Sequence, residues 1–405
     1  MERQFEAPRV QGPLEDYAEG FFAELTGLGY SPRSFEAQLR LLRHLSEWLA
    51  ERELTAHALT SEVVRDFVAD RRKVTTNMRS ERALAPLLSH LRAAGATPAA
   101  APEFPSTPAD ALLRRFGEFL ASEKGLAPET VRSYVTQSRP FVVQHAGREG
   151  GWAALTPRDV DAFIVARAAI QRPGSVQVRA NALRALLRWM WREHLVVASL
   201  PDAVGHFAAP SSTTISPAAF SEAEVARLLA ALPERGPVRQ RNEAIIMLLL
   251  RLGLRAGEVA SLLLEDIGWR DGVLGVRGKR GRFDRMPLPP DVGALLSAYL
   301  RDARPVGGGH REVFLGIDAP HRPITRVAVS DVVADIRDRA AIGGPGAAHR
   351  LRHTAACSVL ASGGGLAEVG QLLRHQHPGA SKIYANSNLE VLGQLARPWP
   401  TGSSR

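Results

Sequence analysis

The chain is poor in the side chains that staple, anchor or metallate a protein. It has one cysteine, Cys357, in 405 residues, which excludes an intramolecular disulfide. Set beside Ala355 and Ala356, that cysteine reads as a small core residue. No apolar run approaches the roughly 20 residues that cross a bilayer as a helix. Met1 to Val10 is charged and lacks the apolar core of a signal peptide. A cytoplasmic protein with no membrane partner is therefore expected. His349 and His353 are spaced i, i+4, with His375 and His377 further on, but no glutamate follows His349 and no cysteine pair exists. Neither a metal nor a cofactor is expected. Aromatics are 6% of the residues and tyrosines number five. The C-terminal third holds two of these, Tyr299 and Tyr384.

Positive charge and helical periodicity are plentiful. The formal net charge is +9, which favours polyanionic partners, nucleic acid first among them. An apolar fraction of 45% suits a folded chain, and the length suits two or three domains at about 150 residues each. Proline-rich stretches at 97–108 and 209–217 break helices and cut the chain into 1–102, 103–212 and 213–405. The first two segments share punctuation. Gly29-Tyr30-Ser31-Pro32 parallels Gly125-Leu126-Ala127-Pro128, and Leu59-Thr60 parallels Leu155-Thr156. Leu84, Leu87, Leu88 and Leu91 parallel Leu183, Leu186, Leu187 and Met190 at helical spacing. Each segment reads as about four helices, and the two as divergent copies. In the third segment Ser221 to Glu224 is a capping box, and a helix over 242–252 stops at Gly253. Strands are predicted over 273–277 and 284–288 around a basic hairpin loop, Gly278 to Arg282. The fold expected is mainly α with a small antiparallel β-sheet in the third segment.

That segment also carries, in order, Arg255, Lys279, His349, Arg352, His375 and Tyr384. Arginine forks hold phosphate oxygens, lysine and histidine move protons, and tyrosine can be a covalent nucleophile. Each residue alone has a plainer reading. Arg255, at a helix junction, could simply cap the preceding helix. Lys279, with Arg277, Arg280 and Arg282, could be a solvated turn, although the same density of charge suits DNA-backbone contacts. A lone tyrosine is more often half-buried packing.

Taken together the wording resembles the tyrosine recombinases of the phage-integrase type. Gly253-Leu254-Arg255 followed by Glu258 matches the family's first box, and Gly278-Lys279 after a strand matches its hairpin lysine. His349 to His353 and the stretch from Leu372 through His375 to Tyr384 match its second box. The middle segment resembles the family's helical, SAM-like core-binding domain, and the first is an extra copy suited to arm sites or a longer DNA clamp. Arg374 departs from the glycine that many members carry before the final histidine. The resemblance implies a metal-free site-specific recombinase, with Tyr384 forming a 3′-phosphotyrosine and releasing a 5′-hydroxyl. His349 would act as base or shuttle, Arg255 and Arg352 as phosphate clamp, and His375 as a further donor. Lys279 would protonate the leaving oxygen. Double-stranded DNA with specific sites, a homotetramer on DNA, and accessory DNA-bending or directionality proteins are the partners implied, in a nucleoid-associated setting. The stretch 389–395 would dock on a neighbouring protomer. A mobile element's integration and excision is the role favoured. A non-catalytic DNA-binding protein on the same fold, and a type IB topoisomerase, remain as alternatives.

Overall fold

The computed structural model describes residues 10–75, 80–98, 107–197, 199–205, 219–278, 282–306, 309–375, 377 and 384. By its contacts the chain divides into two units, one from Pro98 to Ile215 and one made of the segments on either side. Each of the three sequence segments encloses its own apolar core.

The first segment holds α1 (Glu15–Gly27), α2 (Pro32–Ala50), α3 (Ser61–Val74) and α4 (Glu81–Ala93). They close around Phe21, Leu45, Phe67 and Leu87. The second holds α5 (Pro108–Ser122), α6 (Pro128–His145), α7 (Pro157–Ala168) and α8 (Pro173–Arg192), closed around Phe116, Phe141, Phe163 and Leu186. The shared punctuation falls on equivalent joints. Pro32 and Pro128 open the second helix of each bundle, where a missing N–H costs nothing. Thr60 and Thr156 cap the third, with Thr60 accepting from the Val63 N–H at 3.4 Å. The Thr156 N–H donates to Asp159 at 2.8 Å. A single 3-10 turn precedes that third helix in both, at Ala56–Ala58 and Gly151–Ala154.

The third segment runs α9 (Glu222–Ala230), α10 (Pro237–Arg251), α11 (Ala256–Ala260), β1 (Ile267–Gly268), β2 (Val273–Arg277) and β3 (Phe283–Pro287). It continues with α12 (Pro290–Asp302), α13 (Arg326–Arg339), α14 (Ala347–Ala361) and α15 (Leu366–Leu372). The strands form an antiparallel sheet in chain order, with Ile267 opposite Leu274 and Leu274 opposite Met286. Strand β2 lies where the sequence put it, and β3 begins and ends one residue earlier. Strand β1 escaped notice because two residues show no alternation. Helix α10 starts five residues before its expected onset, because Pro237 opens it and its first turns carry arginine and glutamine rather than apolar periodicity. The capping box at Ser221 is formed, with the Glu224 N–H donating to Ser221 Oγ at 3.2 Å and the Ser221 N–H to Glu224 Oε2 at 2.9 Å.

The core of this segment gathers Leu248, Leu249, Leu274, Val292, Leu296, Tyr299 and Phe314, none more than marginally exposed. Each such side chain contributes about 1.5–3 kcal/mol by burial. Tyr299 stacks on Phe314 with centroids 5.3 Å apart, and its hydroxyl accepts from the buried Leu315 N–H at 3.2 Å. That contact settles one of the two tyrosines as structural. Tyr299→Phe keeps the ring and strands the Leu315 donor, a loss of about 1–3 kcal/mol. The check is a lowered urea midpoint with the far-UV spectrum unchanged, and an unmoved midpoint would show that the hydroxyl contributes nothing.

Candidate active site

The site begins where α10 ends. Gly253 adopts φ +56°, a left-handed backbone open to glycine, and a Cβ there would lie 2.7 Å from Leu373 Cδ2. The chain therefore turns tightly, and Arg255 becomes the N-cap of α11. Glu258, three residues on, reaches back. Its Oε2 accepts from the Arg255 backbone N–H at 2.8 Å and its Oε1 from Arg255 Nη1 at 2.6 Å. This is why the box needs an acid three residues after its arginine: the carboxylate caps the helix and orients the guanidinium. Glu258 is 7% exposed. Burial pushes its carboxyl up, but the guanidiniums of Arg374 and Arg255 together with the backbone bond outweigh that and hold it below the ordinary glutamate range. The Arg255 side chain stays about half exposed.

Helix α14 supplies the second group. It starts after Gly346, itself left-handed at φ +72°, and places His349, Arg352 and His353 on one face, as spacing predicts. Arg352 is 3% exposed. Its Nη1 donates to the Gly253 carbonyl and its Nη2 to the Leu373 carbonyl at 2.6 Å. One guanidinium thus ties the first box to the turn that carries His375. Burial, with Arg255 nearby, lowers its pKa to about 10, which leaves it protonated at neutral pH. Arg350, between the site residues, faces the other way. It donates to the Gly343 carbonyl at 2.8 Å, lies 3.9 Å above the Phe220 ring, and pairs with Glu224 at 3.6 Å. It fastens α14 to the cap of α9.

Tyr384 and His375 complete the group. Tyr384 is 2% exposed and packs with Ala356, Val369 and Leu373, with Cys357 partly buried alongside. Its ring centroid lies 5.1 Å from that of His353 and 6.3 Å from that of His375, nearly parallel. His349 meets His353 edge-on at 4.4 Å. Burial raises the tyrosine pKa, partly countered by Arg352 and Arg255. Desolvation and neighbouring cations act together on the imidazoles. The pKa values of His353 and His375 fall to about 4, and that of His349 is lowered by partial burial, Arg352 and Arg255, although His349 keeps an exposed face. All three are neutral at pH 7.

Five of the six residues singled out by sequence, namely Arg255, His349, Arg352, His375 and Tyr384, meet in this one cluster. Lys279 and Arg280 lie outside the described residues, as does the stretch 389–395. The flanking Arg277 and Arg282 are paired with Asp266 and with Asp284, the latter at 2.7 Å, yet both remain about half exposed. Sequence reasoning left three further members out of the site. His353 was legible as half of an i, i+4 histidine pair and as the end of the second-box motif, with no role of its own. Glu258 was visible in the motif without a role. Arg374 registered only as a departure from the family pattern. Among the described residues, no three of His, Cys, Asp or Glu gather as ion ligands.

Residues 219–390 match the Phage integrase family, and residues 113–194 match its N-terminal SAM-like domain. A Sinorhizobium fredii protein named integrase/recombinase y4rA is 31% identical over 96% of this chain and 95% of its own length. The tyrosine recombinase XerD of Ralstonia nicotianae is 30% identical over 72% of this chain and 94% of its own. Among solved structures, the XerH recombinase bound to a palindromic difH substrate shares the fold at a TM-score of 0.57 and 17% identity, covering 74% of this chain and 98% of that one. A lambda integrase tetramer bound to a Holliday junction does so at 0.53 and 16%, covering 72% and 79%. The chain belongs to the tyrosine recombinase (phage integrase) family and is a site-specific DNA recombinase that cleaves and rejoins DNA strands.

Proposed function

We propose that this recombinase integrates and excises a mobile element, with Arg255, Lys279, His349, Arg352, His375 and Tyr384 as its catalytic residues. The observation that carries the assignment is the packing of Tyr384 against His353, tilted, and His375, stacked, in the cluster that holds the buried guanidinium of Arg352. The element-borne role is supported by the integrase/recombinase of Sinorhizobium fredii, which aligns over nearly the whole chain. Residues 1–102 form an additional DNA-clamping domain, 103–212 the core-binding domain and 213–405 the catalytic domain. Four protomers hold two duplexes, as the lambda integrase tetramer holds its junction, with accessory DNA-bending or directionality proteins setting the outcome. The work is done on the nucleoid.

In the cleavage step Tyr384 Oη bonds to phosphorus and the bond to the 5′-oxygen breaks, leaving a 3′-phosphotyrosine. The phenol proton passes to His349, and Lys279 protonates the departing 5′-oxygen. Arg255 and Arg352 stabilise charge on the non-bridging oxygens in the transition state, and His375 adds a hydrogen bond. The ester retains the bond energy for rejoining, so no nucleotide is consumed. In the free protein the tyrosine is buried and its pKa raised, which describes a resting nucleophile that the scissile phosphate must draw out.

Nicked duplexes made from DNA flanking the protein's own gene test the assignment. Wild type yields a denaturant-stable protein–DNA adduct, and Tyr384→Phe binds the same duplex with no adduct. An adduct persisting in Tyr384→Phe removes the tyrosine from its role. The protonation states give a second prediction. A base must be neutral, and the His349 pKa is displaced downward, so cleavage should hold as pH drops through 6.5 and fail only below the ordinary imidazole range. A pH–rate profile of single-turnover cleavage checks this, and an acid limb at or above 6.5 contradicts it. Stability carries the same sign. His353 and His375 bind protons more weakly folded than unfolded, so their contribution is complete above about 6.5 and is lost as pH falls toward 4. His353→Asn should flatten that part of the melting-temperature curve, and an unaltered curve would rule His353 out as its source.

A further inference from the structure

We propose that Arg374 is a positioning residue that acts through a shared carboxylate, Glu258, to hold Arg255 in place and to leave its charge free for the scissile phosphate. The inference rests on the assignment of Arg255 as a phosphate-binding arginine.

Arg374 stands immediately before His375 with φ +52°, in the left-handed region that side chains rarely adopt. Glycine would sit there without strain. An arginine in that conformation persists only where its surroundings hold it, and here they do. Its side chain is 6% exposed and its Nη2 meets Glu258 Oε2 at 2.6 Å, with the glutamate side chain equally buried. Its Nη1 donates to the Leu372 carbonyl at 3.0 Å and contacts Met286 Sδ at 3.3 Å. One side chain therefore joins α11, the turn after α15 and strand β3.

The charge arithmetic gives the arrangement its consequence. Glu258 alone would form a closed pair with Arg255 and cancel most of its attraction for phosphate. With Arg374 present, one buried carboxylate serves two guanidiniums, and the group carries a net charge of +1. The buried partner, Arg374, neutralises Glu258. The half-exposed partner, Arg255, is held to the same carboxylate by one hydrogen bond from its guanidinium and one from its backbone N–H and turns its charge outward. A buried carboxylate deprived of one partner is also poorly compensated, so losing Arg374 draws Arg255 inward. The turn bearing His375 and the box bearing Arg255 are coupled through this carboxylate, separately from the bridge made by Arg352.

The experiment measures single-turnover adduct formation at saturating protein on the nicked duplex that traps wild type, together with DNA affinity. The variants are Arg374→Gly, Arg374→Lys, Arg255→Lys and the double variant Arg374→Gly with Arg255→Lys. Glycine fits the backbone, so Arg374→Gly should fold and bind DNA within about threefold of wild type while cleaving about tenfold or more slowly. Arg374→Lys restores the ion pair and should recover most of the rate. If Arg374 acts through Arg255, the double variant is no slower than Arg255→Lys alone, beyond about twofold. A purely structural role gives losses that multiply, and that result overturns the proposal, as does Arg374→Gly cleaving at the wild-type rate. Arg255→Lys cleaving normally would remove the phosphate-binding role itself and the proposal with it, a failure distinguishable from the other two.

Discussion

A guanidinium buried between two backbone carbonyls sets the shape of this active site. Arg352 has almost no solvent to stabilise its charge, so its donors must be met by protein, and the carbonyls of Gly253 and Leu373 meet two of them. Those carbonyls belong to segments 120 positions apart in sequence, one leading to Arg255 and the other to His375. Gly253 can present its oxygen only because the chain turns through a left-handed conformation where a side chain would strike Leu373. Satisfying one cation thus brings the segments bearing Arg255 and His375 together within the protein alone.

Burial and positive charge together explain the protonation states around it. Desolvation is the larger cause that makes protonated imidazole unfavourable, and Arg352 adds to it at all three rings, joined by Arg255 at His349 and His375. His349, His353 and His375 are consequently neutral, able to accept a proton or donate a hydrogen bond without adding to the repulsion. Glu258, the acidic side chain bound into the cluster among the described residues, is itself held ionised by the arginines around it. A site of this composition presents fixed positive charge beside a buried phenol whose pKa is raised by burial, the arrangement the proposed cleavage chemistry requires.

Much of this was legible in the sequence because Arg255 and His349 sit at the starts of helices. Gly253, Gly346 and the strand–loop–strand pattern around Lys279 are punctuation that local chemistry reads well. Ser31, Thr60 and Thr156 announced the bundle joints for the same reason. What stayed hidden depends on contacts far apart in sequence. Arg374 and Glu258 are separated by 116 positions, and no local pattern links them. Arg350 and Arg352 are alike in sequence, yet one clamps α9 and the other bonds the Gly253 and Leu373 carbonyls, because their side chains leave α14 on different faces. His353 carried no assigned role, since spacing alone does not show that the Tyr384 ring will lie against it.

Arg352 holds the Gly253 and Leu373 segments together, a task separate from any contact with phosphate. Hydrogen exchange of the free protein, comparing wild type with Arg352→Lys, tests it most directly. A lysine keeps the charge but lacks the fork that spans two carbonyls. The account predicts faster exchange in both 253–258 and 366–375, with the bundles and the sheet unchanged. Equal exchange in both segments would contradict it and leave Arg352 as a phosphate ligand alone.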